Sequence, residues 1–537
     1  MEVVQRINEA VNFAKNGDVH AAEEIYLQLM SQYPTDKRVY PFLGWLYLNT
    51  KRYQDAIEVF YRAEDRTSLN VVTGLGISYY SLGLYTKAYP YLKISAEQTP
   101  TLQLLYYYID SACENSKDVN SIWQMAQKMD ELYPDSIKTW ESFILAALCA
   151  GKFAEAEEYC NAKLLENPEC PDLYLSAGLV QEVLYSNFEL AKECYLKALE
   201  LKPALPVYYN LGLVSSRLKE FKDAEFYFSE ALKYDSEIRE VNTALYIALA
   251  AQKKFEQAYS CFKKATRPMF EEFHDSWEGA DCTEEVLFVY ADQGFGDIIM
   301  YSRYLTFLQG KFKKVIFSVP KQLKRLMAIN FRSPFFKVVE YGEVVEYDKS
   351  TVLTMLPYLL KLDYNNIPLS DGYLSVSENL CALPNNDSCL KVGFVWEAGG
   401  TKLRGSLDRT ININYFDEMM KLDGVKFYSL QLNAAMRACD KYQELEDLSY
   451  LIEDFLDTAS IINSLDVVVA VDTSVAHLAA ALGKKTFIML PKSADWRWFE
   501  DKEKTPWYSS VELFVQDNYL DWSDVVKSVT QRLEELK

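Results

Sequence analysis

The spacing of apolar residues changes character between residues 268 and 284. Before that point, apolar positions recur three and four residues apart in short segments closed by turn residues, which predicts successive amphipathic helices. Beyond it, short β-branched runs alternate with helical stretches. Strands are predicted at Val286–Ala291, Lys314–Val319, Lys337–Tyr341 and Thr351–Met355, with helices over about Ile298–Gln309 and Gln322–Ile329. Further on, strands are predicted from Leu390, at Val425–Leu430 and through Val467–Val471, with a helix near Tyr415–Leu422. The last of these strands stops at Asp472. A helical stretch, Ala476–Leu482, begins almost at once, Gly483 is placed to end it, and Lys485–Pro491 reads as the next strand. Strand, turn, helix, strand is the unit of a parallel sheet buried on both faces, and its repetition predicts doubly wound α/β structure.

The helical part repeats. Small residues stand at Ala22, Ala56, Ala88, Ala156, Ala191, Ala224 and Ala258, at intervals of 34, 32, 68, 35, 33 and 34, with Ile122 filling the skipped place. Gly44, Gly76, Gly178 and Gly212 recur on a first helix. Tyr26, Phe60, Tyr195, Phe228 and Phe262 follow their alanines by four, and Pro34, Pro100, Pro134, Pro168 and Pro203 close repeats. This is the tetratricopeptide (TPR) pattern, about eight helix pairs over residues 1–268, with a degenerate repeat at 101–134. A small residue allows helices to cross closely and an aromatic fills the next groove, so the tyrosines at these positions read as packing. Such a solenoid carries no chemistry of its own. Its concave face suits a peptide or protein, the plainer alternative being a scaffold or dimerisation surface.

Candidate chemistry lies at strand ends, where parallel sheets bind ligands. Free N–H groups at the helix start near Thr473, Ser474 and Val475 would attract a phosphate or pyrophosphate. After the strand at 286–291, Gly294 and Gly296 allow close approach of backbone to a ligand, without completing a dinucleotide fingerprint. Asp297 reads equally as a helix N-cap or as a general base ionised at neutral pH. Charge on a departing diphosphate must be met by a metal or by cations. No Asp-x-Asp pair occurs in the chain, which leaves Lys402 and Arg409 as candidate counter-ions, whereas Arg404 taken singly reads as a solvated loop charge. Gln431 could bond ribose or base, or cap a helix. Asp472 suits sugar hydroxyls or backbone amides better than phosphate. His477 either faces the diphosphate or packs on its own sheet. The aromatics around Asp495-Trp496-Arg497-Trp498-Phe499 and Thr505-Pro506-Trp507-Tyr508 line a pocket or pack the last helix against the sheet.

A net charge of −21 over 537 residues speaks against nucleic acid or anionic membrane as a general partner. No apolar span long enough to cross a membrane is evident, and the N-terminus lacks the order of a signal peptide. Ten cysteines without CxxC spacing suggest reduced thiols in a cytoplasmic protein rather than a disulfide or zinc framework.

Taken in order, Gln293-Gly294-Phe295-Gly296-Asp297, Val392-Gly393-Phe394-Val395-Trp396, Tyr428-Ser429-Leu430-Gln431, Val471 to Ala479 and Asp495-Trp496-Arg497-Trp498 resemble the heptosyltransferase-like glycosyltransferases (glycosyltransferase family nine), in particular the branch fused to TPR repeats. The resemblance implies an α + α/β chain: a TPR α-solenoid at 1–268, then a GT-B glycosyltransferase of two Rossmann-like halves, at 284–388 (acceptor side) and 389–537 (donor side). It implies a metal-independent, inverting transfer of sugar from a nucleotide-sugar co-substrate, with no cofactor. Asp297 would be the base, Thr473 and Ser474 would lie at the donor diphosphate with Lys402 nearby, and a polypeptide acceptor would be delivered by the repeats. Transfer to a glycolipid or lipopolysaccharide, an inactive interaction scaffold, and a homo-oligomer are the alternatives left open.

Overall fold

The computed structural model describes residues 2–115, 118–271, 275–362, 367–376, 383, 389–399, 409–432, 441–498 and 504–537. They form two compact units, Met1–Pro203 and Ala204–Lys537.

The first unit is built of antiparallel helix pairs: α1 (Glu2–Lys15) with α2 (Val19–Gln32), α3 (Tyr40–Asn49) with α4 (Tyr53–Phe60), α5 (Leu69–Ser81) with α6 (Tyr85–Gln98), α7 (Leu102–Asn115) with α8 (Val119–Leu132), α9 (Ile137–Cys149) with α10 (Phe153–Glu166), and α11 (Pro171–Tyr185) with α12 (Phe188–Leu201). Each recurring small residue sits on the second helix of its pair, and Ala22, Ala56, Ala88, Ile122, Ala156 and Ala191 are all fully buried. The glycines explain the period. A Cβ on Gly44 would lie 2.6 Å from the Phe60 ring, and one on Gly178 would lie 2.2 Å from the Tyr195 ring. The aromatic four residues past the alanine thus fills the space the glycine of the first helix leaves. In the degenerate repeat, Asp110 stands where a glycine would recur. Burial raises its carboxyl pKa, and it accepts a 2.7 Å hydrogen bond from Tyr80. The helices form there regardless, because Ile122, Ala126 and Met129 keep the apolar stripe.

The second unit opens with two more pairs, α13 (Leu205–Arg217) with α14 (Phe221–Leu232) and α15 (Arg239–Ala251) with α16 (Phe255–Glu271). A four-stranded sheet follows, from β1 (Cys282–Tyr290), β2 (Phe312–Val319), β3 (Phe336–Glu340) and β4 (Lys349–Val352), in the order β3-β2-β1-β4 and parallel throughout. Helix α17 (Phe295–Ser302) leaves β1, and α18 (Lys321–Asn330) leaves β2. The second sheet comprises β5 (Leu390–Val395), β6 (Val425–Ser429), β7 (Leu445–Asp447), β8 (Val467–Val471), β9 (Lys485–Leu490) and β10 (Val511–Val515), in the order β10-β9-β8-β5-β6-β7, again parallel. With it go α19 (Phe455–Asn463), α20 (Ser474–Ala481) and α21 (Ser523–Glu534). Gly483 adopts φ +71° and ends α20, as its position predicts.

Two predicted helices are corrected. Over Tyr415–Leu422 the chain makes two 3₁₀ turns, Ile413–Phe416 and Met419–Lys421, and the helix expected to reach Gln309 turns 3₁₀ at Arg303. Arg303 is fully buried, and its guanidinium bonds the carbonyl oxygens of Met300 (2.9 Å) and Trp507 (2.8 Å). One core runs from Phe228, Tyr246 and Phe262 on the last repeat helices through Leu287 and Ile298 to Val468 and Trp498. The final two helix pairs of the array therefore share a core with the sheets.

Gly178→Ala tests the packing rule. On an exposed helix this change stabilises by up to about 1 kcal/mol. Here the Cβ meets the Tyr195 ring, and a net loss of about 2 kcal/mol in urea unfolding is expected.

Candidate functional site

Helices α17 and α20 start side by side. The N-cap residues, Gly294 and Thr473, make no side-chain cap bond, and the Thr473 hydroxyl turns back to the carbonyl of Val471 at 3.1 Å. The first-turn N–H groups of both helices are thus left without side-chain caps. What allows the approach is Gly296, where a Cβ would stand 2.8 Å from the His477 ring and 3.5 Å from Ser474 Cα. A cavity of about 520 Å³ opens at the junction, lined by Gly294, Phe295, Gly296, Asp297, Ala398, Gly399, Arg409, Asp472, Thr473, Ser474, His477, Asp495, Arg497 and Trp498.

The two sheets contribute opposite charges across it. Asp297, on α17, receives Arg497 Nη2 on Oδ1 at 2.8 Å; Arg497 Nη1 lies 2.8 Å from Asp495 Oδ1. The Arg497 side chain is only 17% exposed, and burial opposes its charge. Asp297 and Asp495 outweigh that burial and hold its pKa far above normal. Burial likewise opposes the charge of Asp495, yet Arg497 and its amide keep that carboxyl below the usual range. Asp472, at the end of β8, goes the other way: burial raises it, and the charge of Asp495 adds to the shift. Arg409 donates to the Asp472 carbonyl at 3.3 Å and lies 3.7 Å from its carboxylate.

His477 both lines the cavity and is buried. Its ring stacks on Trp498 with centroids 5.2 Å apart, and Nδ1 shares a 3.0 Å hydrogen bond with the Tyr508 hydroxyl. Burial pushes its pKa down to about 4, with Asp297 opposing and Arg497 assisting, so the ring is neutral at pH 7. Its partner is itself fixed by Arg303, whose guanidinium lies 4.8 Å above the Tyr508 ring.

Of the sequence candidates, Gly294, Gly296, Asp297, Arg409, Asp472, Thr473, Ser474 and His477 meet at this cavity. Gln431 instead ties two loops, its Oε1 accepting from the Glu397 amide at 3.0 Å. Val475, in the first turn of α20, is half-buried and packs against the core. Lys402 and Arg404 lie outside the described residues. Arg497 and Asp495 entered the sequence reading within the Asp495–Phe499 stretch and its resemblance, without a role of their own. The signal was present, since an arginine inside Trp496-Arg497-Trp498 is a charge held among buried rings. Trp496 packs edge-on against Tyr246 of α15, centroids 5.9 Å apart, so a repeat helix buttresses the Arg497 loop. Among the described residues no group of three or more His, Cys, Asp or Glu side chains is placed to hold a metal ion, and no helix is long and apolar enough to cross a membrane.

Residues 7–70 match one model of the tetratricopeptide repeat, and residues 186–205 and 205–238 match another. A curated relative, Protein FlbA of Caulobacter vibrioides, is 23% identical over 452 residues, 75% of this chain and 73% of that protein. Among solved structures, a tetratricopeptide repeat protein from Parabacteroides merdae is similar at 17% identity and a TM-score of 0.39, covering 46% of this chain and 98% of its own. Yeast Tom70 is similar at 15% identity and a TM-score of 0.37, covering 47% of this chain and 55% of its own.

Because the folded state holds His477 near 4 while the unfolded chain protonates near 6.5, acid favours unfolding. Stability should fall as pH drops from about 6.5 towards 4, this one residue contributing about 3 kcal/mol. Thermal melts of His477→Phe across that window should show a flatter acid limb than the parent protein.

Proposed function

We propose that the chain is a glycosyltransferase that moves a sugar from a nucleoside-diphosphate donor to a polypeptide acceptor. Two uncapped helix N-termini converging on one cavity, with a carboxylate at its edge, carry this reading. Aligned backbone N–H groups and two positive helix ends bind a diphosphate without any charged side chain. The cavity draws its lining from both sheet regions, which supports a GT-B reading in which β1–β4 form the acceptor side and β5–β10 the donor side.

In the reaction, Asp297 accepts the proton of the attacking acceptor group. That group bonds to the anomeric carbon as the bond to the diphosphate breaks on the opposite face, inverting the centre. Two electrons leave with the diphosphate oxygen, and its growing charge is met by the first-turn amides of α20 and by Arg409 and Arg497. The donor charge is neutralised in this way by amides and guanidinium groups rather than by a divalent ion. Neutral His477 adds no repulsion towards either arginine. The repeat array presents the acceptor, and the protein acts in the cytoplasm.

The experiment is release of nucleoside diphosphate from uridine, guanosine, adenosine and cytidine diphosphate sugars, with candidate polypeptide acceptors present. Asp297→Asn should lower turnover about a thousandfold and leave donor binding in place. Unchanged turnover removes Asp297 from its role. Failure of every donor to bind the folded protein leaves an interaction scaffold.

A further inference from the structure

Arg497 is committed on two sides. One nitrogen holds Asp495, two residues earlier on the same loop, and the Asp495 carboxylate also accepts the Arg497 amide at 3.0 Å. The other reaches across to the opposite sheet and holds Asp297 at 2.8 Å. The first partner is local and held by two contacts; the second is a single ion pair between separate elements. The Nε of Arg497 has no hydrogen-bond partner among the described residues, although it is buried. A guanidinium carries five donors in a planar fork, so this one has unused donor capacity beside the cavity that Thr473 and Ser474 also line.

The carboxylate proposed as base is therefore paired through Oδ1 with a cation. While the guanidinium sits on Oδ1, that oxygen of the carboxylate is not open to the acceptor proton. A diphosphate carries more negative charge than one carboxylate, and it would sit where two helix ends add to the attraction. We infer that Arg497 is a donor-operated latch: an arriving diphosphate draws its guanidinium away from Asp297 while Asp495 remains the pivot, and Asp297 becomes free to receive the acceptor proton. Arg497 is thus a positioning residue for Asp297 as well as a counter-ion for the leaving group. Oδ1 of the base is released only when a donor is in place, which sets the order of binding as donor first, acceptor second. The inference rests on the donor-site reading above.

The test needs neither the sugar nor the acceptor. Inorganic pyrophosphate is titrated calorimetrically into the full-length chain, Asp297→Asn, Arg497→Gln and the double variant, each first checked for folding by its thermal melt. If pyrophosphate must take Arg497 from Asp297, Asp297→Asn should bind it about tenfold tighter than the parent, and the gain should vanish in the Arg497→Gln background. Equal tightening in both backgrounds would mean plain charge repulsion and overturn the latch, as would no tightening in either. Where Arg497→Gln does not fold, Arg497→Lys replaces it, since a single ammonium cannot hold both carboxylates in a fork. A gain that persists undiminished there again overturns the latch. Pyrophosphate that fails to bind the folded parent protein overturns the donor site itself, a result distinct from binding without coupling.

Discussion

The site exists because two helices approach more closely at their first turns than side chains normally allow. Gly296 is the residue that makes this possible: the space a Cβ would need is taken by the His477 ring, with the Ser474 backbone in van der Waals contact beside it. Any other residue there would force the His477 ring or the start of α17 to shift. The neutrality of His477 belongs to the same constraint. A ring squeezed between Trp498, Tyr508 and a helix start is too desolvated to hold a proton at neutral pH. An imidazolium there would set a second positive charge beside Arg497 and cost stability.

Closeness alone would make a cavity with no electrostatic order, and the three carboxylates lining it would repel an anion. Their placement resolves the conflict. Asp495 and Asp297 share Arg497, and Asp472 lies against Arg409 with its own pKa raised by burial. The negative charges are spent on fixing the two guanidinium groups, which would otherwise be too mobile to define a geometry. Holding a cation in place with carboxylates is worthwhile only where the cation must be aimed. The aim is reinforced from behind by Tyr246 on Trp496, through which the last repeat helices back the loop that carries Arg497.

The sequence was legible where local packing decides structure and opaque where charges meet over long separations. The 34-residue period placed every recurring alanine on the second helix of a pair, since a fully buried small residue is needed at each crossing. The run from Val467 through Leu490 gave strand, turn, helix and strand, because both faces of that sheet are buried and its pattern is continuous. The segment Tyr415–Leu422 reads as a helix by spacing, yet Phe416, Met419 and Met420 are buried from tight 3₁₀ turns against the second sheet. The short strand β7 and the edge strand β10 lack a pattern strong enough to announce themselves, and their pairing partners supply the stability. Asp297 was visible as a carboxylate at a helix start, but its partner lies 200 residues away and no local spacing reveals it.

That separation has a physical consequence for the whole unit. Ion pairs within one element report on that element alone, whereas Asp297 with Arg497 and Arg303 with Trp507 each join the first sheet region to the second. The two links differ in kind. Arg303 is fully buried and bonds carbonyl oxygens and ring faces, a contact that cannot be broken without stranding a charge in apolar surroundings. Arg497 lies at the cavity wall, and its cross-link is the one that the latch inferred above would exchange for an arriving diphosphate. A buried rivet beside that pair would keep the sheets in place while the charge pairing of the site changed.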